Sequence, residues 1–258
     1  DIPYVRDNSG RLKPCSWNEV FDVITHKFNK SPNILALAGD LINIETLFSA
    51  KELVSNLGGR TECRIADTCI PPNDRGLYAG TVPIEEINNS EIIFIIGSNP
   101  RIEAPVLNAR IRNSWLKGAE VNLVGEKSDL TYEYNHMGTS LSEIDKIIKS
   151  KTRLFANKRI LIILGQAIFS RNDGYEALEV VKKFKETLNA ELISLHVAAS
   201  RVGAMDLNFV SDPGYSSSIE WSDIILNICM DEYDLPEDKF VIYQGSHGDR
   251  GANRADVI

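Results

Sequence analysis

Three glycines spaced three apart, Gly245, Gly248 and Gly251, punctuate the stretch "YQGSHGDRGANRADVI", where a flexible loop after an apolar strand could cradle a phosphate. The pattern is G-x-x-G-x-x-G. It departs from the G-x-G-x-x-G dinucleotide fingerprint, and it lacks the Lys before Ser or Thr that a Walker A loop demands. It also runs into "ADVI", a strand-like stretch, where the fingerprint should open a helix. Ser246, His247 and Asp249 are the residue types of a hydrolase triad, but neighbours on one short loop do not line up hydroxyl, imidazole and carboxylate in series. The four cysteines, Cys15, Cys63, Cys69 and Cys229, include no C-x-x-C pair, so they read as reduced thiols rather than cluster or zinc ligands. Cys69 lies in the long loop with Pro71 and Pro72. His26, His136 and His196 are scattered, and packing of His136 against Tyr132 or Tyr134 is the expected account of that residue.

A more distinctive stretch is "GSNPRIEAPVLNARIR". Asn99-Pro100 must turn the chain away from the preceding strand, and Pro105 suits the first turn of a helix. Arg101, Arg110 and Arg112 bring positive charge to that turn. They serve either ion pairs with Glu103 or contact with an anion or a partner chain. No catalytic, cofactor-binding or metal-ligating residue is assigned; the candidate partner contacts are Arg101, Asp249 and Arg250.

The elements that carry these loops alternate between short apolar runs and helix-period segments, the grammar of βαβ units and a mostly parallel sheet. Buried strands are expected at Ile34–Ala38, Ile92–Ile96, Val121–Val124, Ile160–Leu164 and Phe240–Tyr243, and further strands in "ELISLH" and "WSDIILNI". Helices are expected in "CSWNEVFDVITHKF", with Trp17, Val20, Phe21 and Ile24 on one stripe, and in "NIETLFSAKELVSNLGG", "APVLNARIRNSWLKG" and "GYEALEVVKKFKETLN". The section "RTECRIADTCIPPNDRGLYAGTVP" reads as a long irregular loop, of a kind that is often functional. Strands ending at Gly39, Gly97, Gly125, Gly165 and Gly245 place polar turns along the carboxyl edge, where parallel sheets bind ligands. The lobe boundary is expected near Phe155–Lys158, giving a first α/β lobe over 1–155 and a second over 156–258.

At 258 residues the chain can bury a full core, and a net charge of -8 argues against a nucleic-acid surface, which needs clustered Lys and Arg. The longest apolar runs are far short of the roughly 20 residues of a membrane span, so no direct membrane insertion is expected.

"EIIFIIGSNPRIEAPVLNARIRNSWL", "DLTYEYNHMGTS", "RNDGYEAL" and "YQGSHGDRGANRADVI", in that order, resemble the seventy-five-kilodalton iron–sulfur subunits of respiratory complex I, NADH–quinone oxidoreductase. The resemblance covers the part of those subunits that is similar to molybdopterin oxidoreductases. It implies an α/β fold of two Rossmann-like lobes with mostly parallel sheets, molybdopterin-oxidoreductase-like, in a noncatalytic scaffold region. It further implies iron–sulfur clusters in a region upstream, none in this stretch, and contacts with other hydrophilic-arm subunits. The place it implies is peripheral, on the cytoplasmic side of the bacterial inner membrane or the mitochondrial matrix side. In such relatives "ADVI" continues into an apolar strand, so the chain is expected to be truncated at both ends and the glycine loop to be a turn between two core strands. The alternative is a molybdopterin-dependent oxidoreductase or a nucleotide-binding module.

Overall fold

A computed structural model describes residues 2–150, 155, 157–212 and 214–258. In chain order its elements are β1 (Tyr4–Arg6), β2 (Leu12–Pro14), α1 (Trp17–Phe28), β3 (Ile34–Ala38), α2 (Ile44–Asn56), β4 (Arg60–Glu62), α3 (Arg75–Tyr78), β5 (Ile92–Ile96), α4 (Pro100–Glu103), α5 (Pro105–Leu116), β6 (Glu120–Val124) and β7 (Asn135–Gly138). They continue as α6 (Ser142–Ser150), β8 (Ile160–Leu164), α7 (Gln166–Phe169), α8 (Gly174–Leu188), β9 (Glu191–Ser194), α9 (Arg201–Asp206), α10 (Tyr215–Trp221), β10 (Ile224–Ile228), β11 (Phe240–Gln244) and α11 (Arg250–Arg254). The α/β class and the parallel sheets agree with the sequence pattern, and the five strands expected from apolar runs all form.

The division of the chain does not follow the boundary expected at 155/156. One unit joins Asp1–Asp67 to Ala198–Ile258, and the other is Thr68–Val197. The reason is strand pairing: β8 aligns in parallel with β5, Ile92 opposite Ile160, and β10 aligns with β3, Ile224 opposite Ile34. Each sheet takes its centre from chain segments far apart in sequence. Residue 156, on which the expected boundary falls, lies outside the described residues.

In the outer unit, built from the two ends of the chain, the parallel sheet has the order β11-β10-β3-β4, beside a β1-β2 hairpin. β3 and β10 are buried along their whole length, which is why their sequences, "ILALA" and "IILNI", run apolar with little alternation. Leu35, Leu37, Ile225, Val241 and Tyr243 pack one face against Tyr215, Ile219 and Ala252. Of the apolar stripe on α1, Val20 is buried, whereas Trp17 and Phe21 stay 53% and 55% exposed. A capping box between Ser16 and Glu19 starts that helix.

The inner unit has the order β7-β6-β5-β8-β9, again all parallel. Ile93, Ile95, Val121, Leu123, Leu161 and Ile163 fill one face, and the other carries Phe94, whose ring meets that of Phe184 edge-on at 5.0 Å. The section from Arg60, expected as an irregular loop, is more ordered than its sequence suggests. It holds β4, a 3-10 turn at Ile65–Asp67 and α3, anchored because the backbone finds partners in neighbouring strands: Thr81 N–H donates to Leu192 O at 2.8 Å.

A buried ion pair closes the outer unit. Glu62 is 0% and Arg64 4% exposed, and the Arg64 guanidinium meets the Glu62 carboxylate at 2.9 Å. Three backbone N–H groups, of Cys63, Arg64 and Ser211, also donate to that carboxylate. Removing the cation would strand a buried charge, so Arg64→Ala is expected to lower the unfolding free energy by roughly 3–5 kcal/mol. Urea denaturation measures this, and a loss below about 1 kcal/mol, the scale of an exposed pair, would show that the pair is not a closing element.

Candidate functional site

In each sheet the chain reverses its winding between two central strands, β5 and β8 in the inner unit, β3 and β10 in the outer one. Outside the carboxyl ends of such strands the crossovers diverge and leave a crevice. At both positions glycine is required by close approach. A Cβ on Gly165 would lie 2.1 Å from the Gly97 carbonyl oxygen, and one on Gly39 would lie 2.0 Å from that of Cys229.

The inner-unit crevice is a cleft of about 500 Å³ whose polar lining includes Ser98, Asn99, Glu103, Lys127, Ser128 and Arg171. Ser98 Oγ, Asn99 Oδ1 and Ser128 Oγ are buried atoms without a hydrogen-bond partner among the described residues. Left unmet, each costs about 1–3 kcal/mol. Two of the cleft's donors are otherwise engaged. Asn99 N–H donates to the Glu103 carboxylate at 2.7 Å, and Arg171 grips Asp173 through two bonds of 2.6 Å, which raise the guanidinium's pKa further.

In the outer unit the corresponding edge carries several carboxylates. Ser200 Oγ donates to Gly39 O at 2.7 Å, and Asp40, Asp231 and Glu232 stand near one another. Burial, with the charges of Asp40 and Asp231, pushes the Glu232 carboxyl above its usual range, and burial likewise raises the Cys229 thiol. The glycine loop acquires a plain explanation here. Cβ atoms on Gly245 and Gly251 would sit 2.4 Å and 2.6 Å from the Tyr243 ring, while Gly251 N–H and Tyr243 O–H donate to opposite oxygens of Asp231. Those two glycines make room for a tyrosine.

The loop is not the expected turn between two core strands. It opens the short helix α11, and of the final residues Val257 bridges Val5 and Ile242. Apolar "ADVI" looks like a strand in sequence because its burial resembles one: Ala255 and Val257 are 0% and 2% exposed.

The remaining candidates are separately placed. Arg101 pairs with Asp129 at 2.5 Å rather than with Glu103, and Arg112 donates to Thr131 O. Arg250 reaches Asp234 at 3.4 Å, and Asp249 stands exposed at the N-cap position of α11. Ser246 Oγ and His247 Nδ1 are 2.8 Å apart on the exposed loop. The His136 ring bonds Gly125 O at 2.8 Å, a backbone contact in place of the expected tyrosine packing. Cys69 is buried, its thiol donating to Arg171 O at 3.5 Å and its side chain pressed on Gly174, where a Cβ would lie 2.7 Å from that of Cys69. The carboxyl edge is readable from sequence but its unpaired atoms are not: Ser98, Asn99 and Ser128 are ordinary turn residues until the fold buries them.

The profile of the molybdopterin oxidoreductase family matches residues 1–258. The chain belongs to that family. Among curated relatives it is 31% identical to the mitochondrial 78 kDa subunit of NADH-ubiquinone oxidoreductase of Neurospora crassa, over 100% of this chain and 37% of the relative. It is 33% identical to the 75 kDa subunit of NADH-ubiquinone oxidoreductase of Reclinomonas americana, over 99% of this chain and 42% of the relative. The chain thus spans well under half the length of these relatives. A crystal structure of a formyltransferase/hydrolase complex from Methylorubrum extorquens shares the fold, with a TM-score of 0.65 at 16% identity, covering 99% of this chain and 85% of that one.

The molybdopterin oxidoreductase family implies a phosphate-bearing, anionic pterin, and the charges at the two edges are mixed: Lys127 and Arg171 line the inner cleft with Glu103 and Glu126, and Arg201 stands 3.8 Å from Asp40 at the outer edge. The outer edge is carboxylate-rich, and in the inner cleft Glu103 already holds the Asn99 N–H that a phosphate would seek. The α4 and α7 helices that open beside the cleft are one turn each, too short to build a useful dipole.

Two measurements check this account of the edges. Gly165→Ala is expected to cost about 1–3 kcal/mol in urea denaturation, since the added methyl meets a backbone carbonyl that cannot swing away; an unchanged midpoint would refute the close approach. Glu232 gives a pH signature. Its folded pKa lies above the unfolded value, so native Glu232 binds its proton more tightly, and stability falls as pH rises above 4.5 through the folded pKa. Glu232→Gln should therefore melt higher than the parent at neutral pH and lose that advantage below 4.5. The gain is small because solvent screens the site. A gain independent of pH would contradict the electrostatic cause.

Proposed function

We propose that this chain is a scaffold region of the iron–sulfur subunit of an NADH–quinone oxidoreductase, respiratory complex I, which transfers electrons from NADH towards quinone. Similarity over the whole of this chain to the 78 kDa and 75 kDa subunits of two NADH-ubiquinone oxidoreductases, at 31% and 33% identity, carries the reading. The region is itself noncatalytic; the iron–sulfur clusters belong to another region of the parent subunit. Its partners are other hydrophilic-arm subunits, and Arg101, Asp249 and Arg250 are contact residues among them. Its place is peripheral, on the cytoplasmic face of a bacterial inner membrane or the matrix side of the mitochondrial one. No helix among the described residues is long and apolar enough to cross a membrane, which agrees with that placement.

The charge state of the two edges supports a scaffold over the rival molybdopterin-dependent enzyme or nucleotide-binding module. Asp40, Asp231 and Glu232 weigh against an anionic cofactor at the outer edge, where Arg201 offsets Asp40 alone, and oxidation of NADH needs a hydride acceptor followed by one-electron centres. The purified chain is expected to be colourless, free of stoichiometric iron and molybdenum, and unable to oxidise NADH with any acceptor. Elemental analysis and an absorption spectrum of anaerobically purified protein decide this: stoichiometric molybdenum establishes the enzyme instead, and stoichiometric iron reinstates the cysteines as ligands.

Arg250→Glu tests the contact surface. The exposed pair with Asp234 contributes little, so the unfolding free energy should stay within about 0.5 kcal/mol of the parent. Recovery of other subunits with the tagged parent chain should fall. Unchanged recovery removes Arg250 from the contact set, and an unfolded variant makes it a structural residue.

A further inference from the structure

Helix α5 has a face that the fold of the 68–197 unit does not use. Leu107, Asn108, Ile111 and Ser114 are buried, and the opposite side presents Val106, Ala109, Asn113 and Leu116. Val106 and Leu116 are 74% and 60% exposed. The four recur at alternating steps of three and four, which keeps them on one line along the helix, the spacing that a second helix meets with its own ridges. Cations border that line. By helical periodicity Arg110 and, at the C-cap, Lys117 fall on one margin and Arg112 on the other. From Ala104 to Gly118 these three cations meet no carboxylate in the sequence, although the whole chain has a net charge of -8. Arg112 donates to Thr131 O, and Arg110 and Lys117 form no ion pair among the described residues. Glu103, the nearest carboxylate in sequence on the amino-terminal side, already accepts from Asn99 N–H.

We propose that this face of α5 docks an amphipathic helix of another subunit, one that carries Asp or Glu along both margins of its apolar line. Charge complementarity selects the partner: carboxylates on both margins meet the three cations, whereas a basic helix is repelled from either side. The line itself fits a helix. Ala109 lets two helix axes approach closely, and the Asn113 amide, set among apolar neighbours, favours the one register that brings a polar side chain opposite it. A lipid surface would call for bulky apolar and aromatic groups where Ala109 and Asn113 stand. A nucleic-acid backbone would use the cations and leave Val106 and Leu116 in water. Three turns span about 18 Å, so the contact is a short helix pair rather than a long supercoil. The inference rests on the reading of the chain as one subunit of a larger assembly, and it gives that assembly a point of attachment.

The test replaces Leu116, exposed and of similar bulk, with p-benzoylphenylalanine in the full parent chain within its native assembly. After irradiation the adducts are identified by mass spectrometry. The expected result is covalent attachment to a helix of a different subunit whose sequence places Asp or Glu on both margins of an apolar line. Reversing one margin with Arg110→Glu and Lys117→Glu together should lower the yield about fivefold, as loss of two exposed ion pairs would give, and Arg110→Lys with Lys117→Arg should preserve it. Both double variants should melt with the parent, because neither cation has an ion pair to lose among the described residues. A lower melting temperature for the charge reversal assigns the cations to the fold and overturns the docking role, as does an unchanged yield. Incorporation of the chain with no adduct, or with an adduct to lipid, nucleic acid, a second copy of the parent chain or a segment without acidic margins, overturns the helix site and leaves the scaffold reading standing. Failure of the parent chain to enter any assembly overturns the scaffold reading, and the helix site with it.

Discussion

The outer unit depends on the carboxylate of Glu62. It ends β4 in the first segment of the chain, and it is fully buried, so each of its oxygens must be met. The donors that meet it come from both segments: Cys63 N–H, Arg64 N–H and the Arg64 guanidinium from the first, Ser211 N–H from the last. Arg64 then donates a bond to Ser211 O, and Ser211 Oγ donates to Thr61 O at 3.0 Å. A unit assembled from 1–67 and 198–258 has no short loop to hold its halves in register. A buried charge with donors on both sides performs that task, because any slip leaves it unpaired at a cost of several kcal/mol. Nearby, Asp67 accepts Ser216 N–H at 3.0 Å at the start of α10, so the same junction also fixes a helix that packs against the sheet.

With the segments registered, each sheet places a glycine where the winding reverses, Gly39 after β3 and Gly165 after β8, and for one steric reason. Parallel strands bring consecutive carbonyls and turns too close for a Cβ, as at Gly39 over Cys229 and at Gly165 over Gly97. The backbone frame of a ligand-binding α/β protein is therefore intact in each unit. What differs is the chemistry laid on it. Carboxylates and a tyrosine ring occupy the outer edge, whereas the inner edge keeps an open cleft with unpaired neutral groups.

Most of the scaffold was legible in the sequence because its signal is local. A run such as "IIFII" or "ILIIL" is buried on both faces and needs no knowledge of its neighbours to be recognised as a strand. What escaped was set by distant partners. β4 is three residues, "RTE", with a charge that only the Arg64 and Ser211 contacts make tolerable; β7, "NHMG", exists because β6 offers it an edge. The lobe boundary escaped for the same reason, since nothing in the linear pattern says that β8 returns to β5. At the candidate site the glycine positions were readable, but their meaning at Gly245 and Gly251 was not, because it resides in the ring of Tyr243.

The contrast between the edges separates what such a frame fixes from what it leaves free to vary. The steric requirements of the frame are strict: a single methyl at Gly165 collides with backbone, so the geometry persists for as long as the sheet does. The side chains at the strand ends carry no such constraint, since they face solvent or a ligand rather than the core. Substituting them alters what the edge can hold without disturbing what it stands on. A carboxylate such as Glu103, bonded to Asn99 N–H, satisfies from within the same donor that a phosphate would satisfy from outside, and so stabilises the turn without a cofactor.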